Sequence, residues 1–283
     1  MVQSLGLVNF FLFIFAVLLL YHYSSTFRYY FKVCFLNIWI FVVCGMVLPV
    51  LAARGRNVAN MKVLAFVMKP VKYFLGIKIK VQGAQNLHLE GPYVILANHQ
   101  CSVDVLGMLQ ILPERCILIV KKELIHYLTV GIAGWLSGFI FIDRKERAAS
   151  IHAMAKAADT IVRDNLRIWV FPEGTRNYDG ITLLPFKRGP FHLAVQAQVP
   201  VIPVVMSSYQ NFFSKKNKRF TTGEVTIRIL PPIKTEGLSP ADVPELVDCV
   251  RKIMLSTFYE ISTGNQERIP KEDTSRTTNH QGS

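Results

Sequence analysis

Carboxylates are missing from the start of this chain: none precedes Glu90, and from Met1 to Phe27 there is no charged side chain of either sign. Val33 to Ala53 is again uncharged, with only Arg28 and Lys32 separating the two runs. Each run supplies the ~20 apolar residues a helix needs to cross a bilayer, so a wholly water-exposed chain is excluded. A basic segment ahead of the first run is missing too, which weighs against a cleaved signal peptide, the other use of such a run. Cysteine is scarce. The five cysteines contain no C-x-x-C spacing, and Cys34 and Cys44 lie inside an apolar run, so neither a disulfide framework nor a zinc site is expected. No Asn-x-Ser/Thr acceptor occurs, consistent with a cytosolic body. No Gly-x-Ser-x-Gly elbow of a hydrolase and no internal repeat is visible.

What the chain has in excess is positive charge. Lys and Arg exceed Asp and Glu by 32 to 19, a net charge of +13 that calls for anionic partners. Arg54, Arg56, Lys62, Lys69, Lys72, Lys78 and Lys80 all follow the second apolar run, and by the positive-inside rule that flank is cytosolic. Basic residues beside apolar runs favour membrane lipids over nucleic acid. If both runs span, the amino terminus is cytosolic as well and the Arg28/Lys32 link lies on the far side or dips part way. A shallow re-entrant hairpin satisfies the same charges.

Beyond Ala53, short apolar or alternating runs take turns with helical stripes. Strands are expected at Ile77–Val81, Tyr93–Ala97, Cys116–Val120, Phe139–Ile142, Arg167–Phe171, Val199–Val205 and Val225–Ile229. Lys62–Tyr73 reads as an interfacial or packing helix, and Leu124–Ser137 as a buried or interfacial one. Glu146–Asp164 and Gly189–Gln196 read as helices, and the final helix buries Val243, Leu246, Val247, Val250, Ile253, Met254 and Phe258. This alternation predicts an α/β fold: a mixed, mostly parallel sheet covered by helices, with an N-terminal membrane helical hairpin. The organisation is membrane helices over 1–53, an α/β domain over 54–262 and a polar, disordered tail over 263–283.

The chemistry gathers where strands end. His99 follows Tyr93–Ala97, and Asp104 comes five positions later in the first turn of a helix. An imidazole near its ordinary pKa accepts a proton at neutral pH, and a carboxylate on its other nitrogen fixes the tautomer. That pair suits activation of an alcohol. Lys121 and Lys122, Arg144 and Lys145, and Glu173-Gly174-Thr175-Arg176 close three other strands. In open α/β sheets ligands sit beyond the carboxyl ends of strands, so these groups are placed to share one rim with His99 and to hold an anion. Glu173 directly before Gly174-Thr175-Arg176 would repel a phosphate unless it holds Arg176 or the substrate hydroxyls. Ser102 reads as a helix N-cap and Cys101 as a turn residue rather than a nucleophile.

Taken in order, Asn98-His99-Gln100-Cys101-Ser102-Val103-Asp104, Gly138-Phe139-Ile140-Phe141-Ile142-Asp143-Arg144, Phe171-Pro172-Glu173-Gly174-Thr175-Arg176-Asn177 and Val199-Pro200-Val201-Ile202-Pro203 resemble the glycerolipid acyltransferase family. The resemblance runs from about Arg54 to Ser262. It implies a single acyl transfer without an acyl-enzyme: His99 deprotonates the sn-2 hydroxyl of lysophosphatidic acid, aligned by Asp104, and the oxygen attacks acyl-CoA. Phosphatidic acid and CoA are the implied products, with acyl-CoA as co-substrate and no cofactor or metal. The resemblance also assigns Lys121, Arg144, Glu173, Gly174, Thr175, Arg176 and Pro203 to substrate binding, and it implies a multi-pass protein of the endoplasmic reticulum membrane whose catalytic domain faces the cytosol. Cys101 stands where many members carry Ser or Ala. A glycerol-3-phosphate or other lysophospholipid acyltransferase shares the same motifs. From a different class, a non-catalytic lipid-binding or membrane-shaping protein shares the basic, apolar amino-terminal region.

Overall fold

The computed structural model describes residues 2–143 and 147–263. Of the tail expected over 263–283, Thr263 is instead the last residue of the final helix, and the remainder lies outside the described residues. Helix α1 (Val2–Tyr23) buries none of its residues from Gly6 onward, and α2 (Ser25–Ala53) follows at once, its start capped by Ser24 Oγ accepting from Phe27 N–H at 3.2 Å. Both are long and apolar enough to cross a membrane, which fits membrane association. The charged link expected between the runs is instead the opening of α2. Arg28 folds back onto the carbonyls of Tyr21 (3.0 Å) and His22 (2.6 Å). Lys32 is buried, its ammonium donating to Leu75 O at 2.7 Å and Thr221 O at 3.1 Å. Tyr29, Lys32, Leu36, Val43, Cys44, Val47 and Leu51 form one buried stripe at helical spacing, while Tyr30, Phe31, Ile38, Phe41, Met46 and Val50 stay exposed on the remaining surface. One face of α2 is thus docked along its whole length, and its other face is apolar and open.

The expected single helix at Lys62–Tyr73 is two, α3 (Asn60–Met68) and α4 (Val71–Leu75), divided at Pro70. Gly76, in the left-handed region, ends α4 and turns the chain into β1 (Ile77–Gln82). Then come β2 (Tyr93–Ala97), α5 (Asp104–Ile111), β3 (Cys116–Lys121), α6 (Leu128–Leu136), β4 (Ile140–Ile142), α7 (Arg147–Arg163) and β5 (Arg167–Val170). The chain closes with α8 (Gly189–Ala197), β6 (Val201–Met206), a small hairpin of β7 (Phe213–Ser214) and β8 (Arg219–Phe220), β9 (Gly223–Ile229) and α9 (Val243–Thr263). In α9 the expected stripe is buried except for Ile253, which is exposed.

Among the described residues, seven strands form one sheet in the order β1-β9-β6-β2-β5-β3-β4. The run from β6 to β4 is parallel, and β9 joins β6 antiparallel while pairing parallel with β1, so the sheet is mixed and mostly parallel. Strand β2 is buried at every residue because both faces are covered. Its side chains alternate between two cores: Tyr93, Ile95 and Ala97 meet α2 to α5, and Val94 and Leu96 meet α7 to α9. The strands β2, β5, β3 and β4 all end on one rim.

Candidate active site

His99 begins the turn after β2, and five residues later Asp104 opens α5. Because the turn is tight, the Asp104 carboxylate folds back over it. Its Oδ2 lies 2.6 Å from His99 Nδ1 and accepts the backbone N–H of Gln100 (2.6 Å) and Cys101 (3.1 Å). Asp104 is fully buried, while the His99 side chain keeps 19% of its surface exposed. Ser102 does not cap α5, as the sequence suggests. Val103 holds the cap position without a side-chain bond, and the Asp104 carboxylate takes up the free turn amides instead. The Cys101 thiol is pushed well above the usual thiol range, first by burial and then by Asp104, which suits a packing residue.

Glu173 follows β5 and differs from its expected role. It is buried, and its carboxylate accepts the backbone N–H of His99 (2.8 Å) and of Leu184 (3.1 Å) rather than holding Arg176. Burial pushes the Glu173 carboxyl up to about 7, outweighing the two backbone donors that pull the other way. Asn177 completes the clamp by donating its N–H to His99 O at 2.8 Å. The main chain of His99 is therefore held on both sides by the Glu173–Asn177 turn. Within that turn Gly174 adopts a φ of 72°, a left-handed conformation that favours glycine. Thr175 and Arg176 are exposed, and Arg176 Nη1 reaches the Tyr178 hydroxyl at 3.4 Å.

The remaining expected residues divide. Lys121 ends β3 on the same rim, exposed; with neighbouring strands ~4.8 Å apart it stands ~10 Å to the side of the β2 line. Arg144 lies outside the described residues. Pro203 is not brought to the rim. It is buried inside β6 opposite Leu96, between the Val201–Ile233 bridge and the start of the β9 ladder, where its missing N–H leaves no gap in pairing. Sequence reasoning also gave no role to three groups inside the motifs. Phe171 stacks on the His99 ring with centroids 4.1 Å apart and planes at 17°. Asn98 ties the turn to β6 through Met206 O (3.0 Å) and Met206 N–H (2.8 Å), and Gln100 reaches Ser207 O at 2.9 Å. Their position inside the quoted motifs was the signal available.

A cavity of about 1270 Å³ opens beside this rim under α7 and α8. Ile119, Ile142, Val170, Phe171, Leu193 and Val195 give it apolar walls, and Gly174, Lys187 and Arg188 contribute a polar portion. His99 is not one of its walls, but Phe171 is shared between them. Among the described residues no group of three or more His, Cys, Asp or Glu stands together as a metal site.

An imidazole oriented by a buried carboxylate, at the rim of a mixed sheet and clamped by an arginine-bearing turn, is an arrangement able to take a proton from a hydroxyl. Residues 78–207 match the family model described as Acyltransferase, and the chain belongs to that family. It is 52% identical over 240 residues to human 1-acyl-sn-glycerol-3-phosphate acyltransferase alpha, covering 85% of this chain and 84% of that protein. It is 42% identical over 253 residues to the human beta relative (89% and 91% covered). To 1-acyl-sn-glycerol-3-phosphate acyltransferase of Saccharomyces cerevisiae it is 40% identical over 195 residues (68% and 63%). The fold is similar to the crystal structure of the 1-acyl-sn-glycerophosphate (LPA) acyltransferase PlsC from Thermotoga maritima, with a TM-score of 0.63 at 23% identity over 87% of this chain and 97% of that one.

Proposed function

We propose that this chain transfers an acyl group from acyl-CoA to the sn-2 hydroxyl of lysophosphatidic acid, giving phosphatidic acid and free CoA. The observation that carries the reading is the 2.6 Å contact between His99 Nδ1 and the buried Asp104 carboxylate. With Nδ1–H donated to Asp104, Nε2 is the basic nitrogen. As the hydroxyl oxygen bonds to the thioester carbonyl carbon, Nε2 takes its proton. When the C–S bond breaks, that proton passes to the departing sulfur, leaving an ester and a thiol. Base help of this kind is worth ~10²–10⁴ in rate, so positioning by the clamped turn supplies much of the remainder. Arg176 and, farther along the rim, Lys121 serve the acceptor phosphate, with Arg as the better fork for it. Gly174 and Thr175 let the turn approach the headgroup closely, and the apolar cavity receives an acyl chain. The activity of the similar proteins supports the acceptor named here.

Membrane lipids are the natural surroundings of such a substrate, and the cytosolic side of the endoplasmic reticulum membrane follows from the basic flank and the resemblance. The docking of α2 along its full length favours a hairpin immersed in one leaflet over two crossings. A helix fastened to a polar body at both Lys32 and Leu51 does not run perpendicular through the bilayer without taking the body with it.

The deciding experiment offers purified, vesicle-reconstituted protein one labelled acyl-CoA and a panel of acceptors: lysophosphatidate, glycerol 3-phosphate and neutral or zwitterionic lysophospholipids. Phosphatidate formed from lysophosphatidate at the highest kcat/KM is expected. A preference for another acceptor moves the chain to a different branch of the family, and no product from any acceptor removes the reading.

A further inference from the structure

The β7–β8 hairpin escaped the sequence reading and has no part in the chemistry above. Its turn carries Lys215, Lys216 and Lys218, and Arg219 opens β8 beside them, in a stretch with no carboxylate between Asp179 and Glu224. Two cation–π contacts fix where it sits. Lys215 Nζ lies 4.1 Å from the centre of the Tyr178 ring, and Tyr178 belongs to the loop whose Arg176 reaches its hydroxyl. On the other side, Lys218 Nζ lies 5.5 Å over Tyr29 and over Tyr30 of α2, and Phe213 packs on Tyr29 at 5.8 Å. The hairpin is therefore wedged between the membrane helix and the loop that clamps His99, with Lys215 and Lys216 exposed.

We propose that the Lys215–Lys218 turn binds the phosphate groups at the nucleotide end of the coenzyme A thioester. The inference rests on the reading of acyl-CoA as donor and deepens it. It follows from where each substrate carries its charge. In the lipid acceptor the phosphate is only a few bonds from the reacting hydroxyl, so its cation must adjoin His99, as Arg176 does through Asn177. In the donor the pyrophosphate and the ribose phosphate are separated from the thioester by the whole pantetheine arm. Cations for them belong farther out on the rim, one layer beyond Arg176, which is where Tyr178 and then Lys215 stand. Anchoring Lys215 on Tyr178 keeps its charge beside the site instead of spread over the surface. Phosphates of anionic lipid headgroups share the same chemistry and are the competing source.

The test uses the full chain in neutral phosphatidylcholine vesicles and the double variant Lys215→Glu/Lys216→Glu. Equilibrium dialysis of CoA, which needs no turnover, is expected to show binding weakened about tenfold, the product of two exposed pairings of about threefold each. The KM for acyl-CoA rises by a similar factor, while the KM for acyl-pantetheine, which lacks the nucleotide, and the KM for lysophosphatidate stay put. Lys215→Arg/Lys216→Arg retains CoA binding, separating charge from folding. Unchanged CoA affinity in the Glu variant overturns the proposal, as does an equal loss with both donors. An effect that appears only when anionic lipid is added to the vesicles overturns it in favour of headgroups. A wild-type protein that binds CoA through these lysines but forms no phosphatidate leaves this site standing and defeats the acceptor reading instead.

Discussion

Asp104 decides what His99 is able to do. Its Oδ2 serves the imidazole and two turn amides at once, so the same atom that builds the loop also sets the tautomer. In Asp104→Asn the amide oxygen still meets part of the loop but no longer stabilises an imidazolium. A fall in kcat of ~10²–10⁴ is expected, with both KM values within about threefold, and steady-state kinetics checks it. Glu173 is the complementary case, a buried carboxyl that shapes rather than reacts. Its folded pKa of about 7 stands above the ~4.3 of an unfolded glutamate. Its contribution to stability is therefore complete below pH ~4.3 and is lost as pH rises through about 7, because only the folded chain holds the proton in that window. Glu173→Gln flattens the pH dependence of Tm between those values. Below the window it also costs about 1–3 kcal/mol, since an amide cannot accept from both His99 N–H and Leu184 N–H. An unaltered pH slope would contradict this.

At the level of elements, α2 shows what was legible in the sequence and what was not. The strand and helix order from Ile77 to Phe258 could be read because the periods are clean and each strand of the parallel run is bounded by turn residues. Tyr93–Ala97 was found to the residue for that reason. Lys32 was misplaced because a single charge in an apolar run looks like a break. Only the fold reveals that two backbone carbonyls, Leu75 O and Thr221 O, wait for it 43 and 189 residues away. Glu173 was likewise expected beside His99 and lies there, but its partners are backbone amides that no side-chain pattern announces. The β7–β8 hairpin was missed because two-residue strands carry no period. The Lys32 contact has its own consequence. Lys32→Met leaves those carbonyls without their ammonium donor and lowers the unfolding free energy by about 1–3 kcal/mol, read as a reduced Tm in detergent. An unchanged Tm would mean that the helix is held by its apolar stripe alone.

For the whole molecule the question is how an α/β body reaches a lipid alcohol. The exposed face of α2, together with α1 and the exposed rings of Phe66, Tyr73 and Phe74, supplies apolar surface that fits membrane association, with Lys69 and Lys72 nearby in the chain for headgroups. In the one-leaflet arrangement the Ser24 turn stays on the same side as the body. With the exposed cysteines Cys34 and Cys249 changed to serine, Ser24→Cys in sealed vesicles that present the body outward reacts with a membrane-impermeant maleimide. Reaction only after permeabilisation would restore two full crossings.

The central claim is that the His99 imidazole removes the proton from the acceptor hydroxyl. It is tested most directly by the turnover number for phosphatidate formation in His99→Ala, measured beside the wild-type protein at saturating lysophosphatidate and acyl-CoA, with CoA thiol release followed in parallel. A loss of at least ~10² in kcat, with vesicle binding retained, is the expected result. A variant that turns over at the wild-type rate would contradict the account.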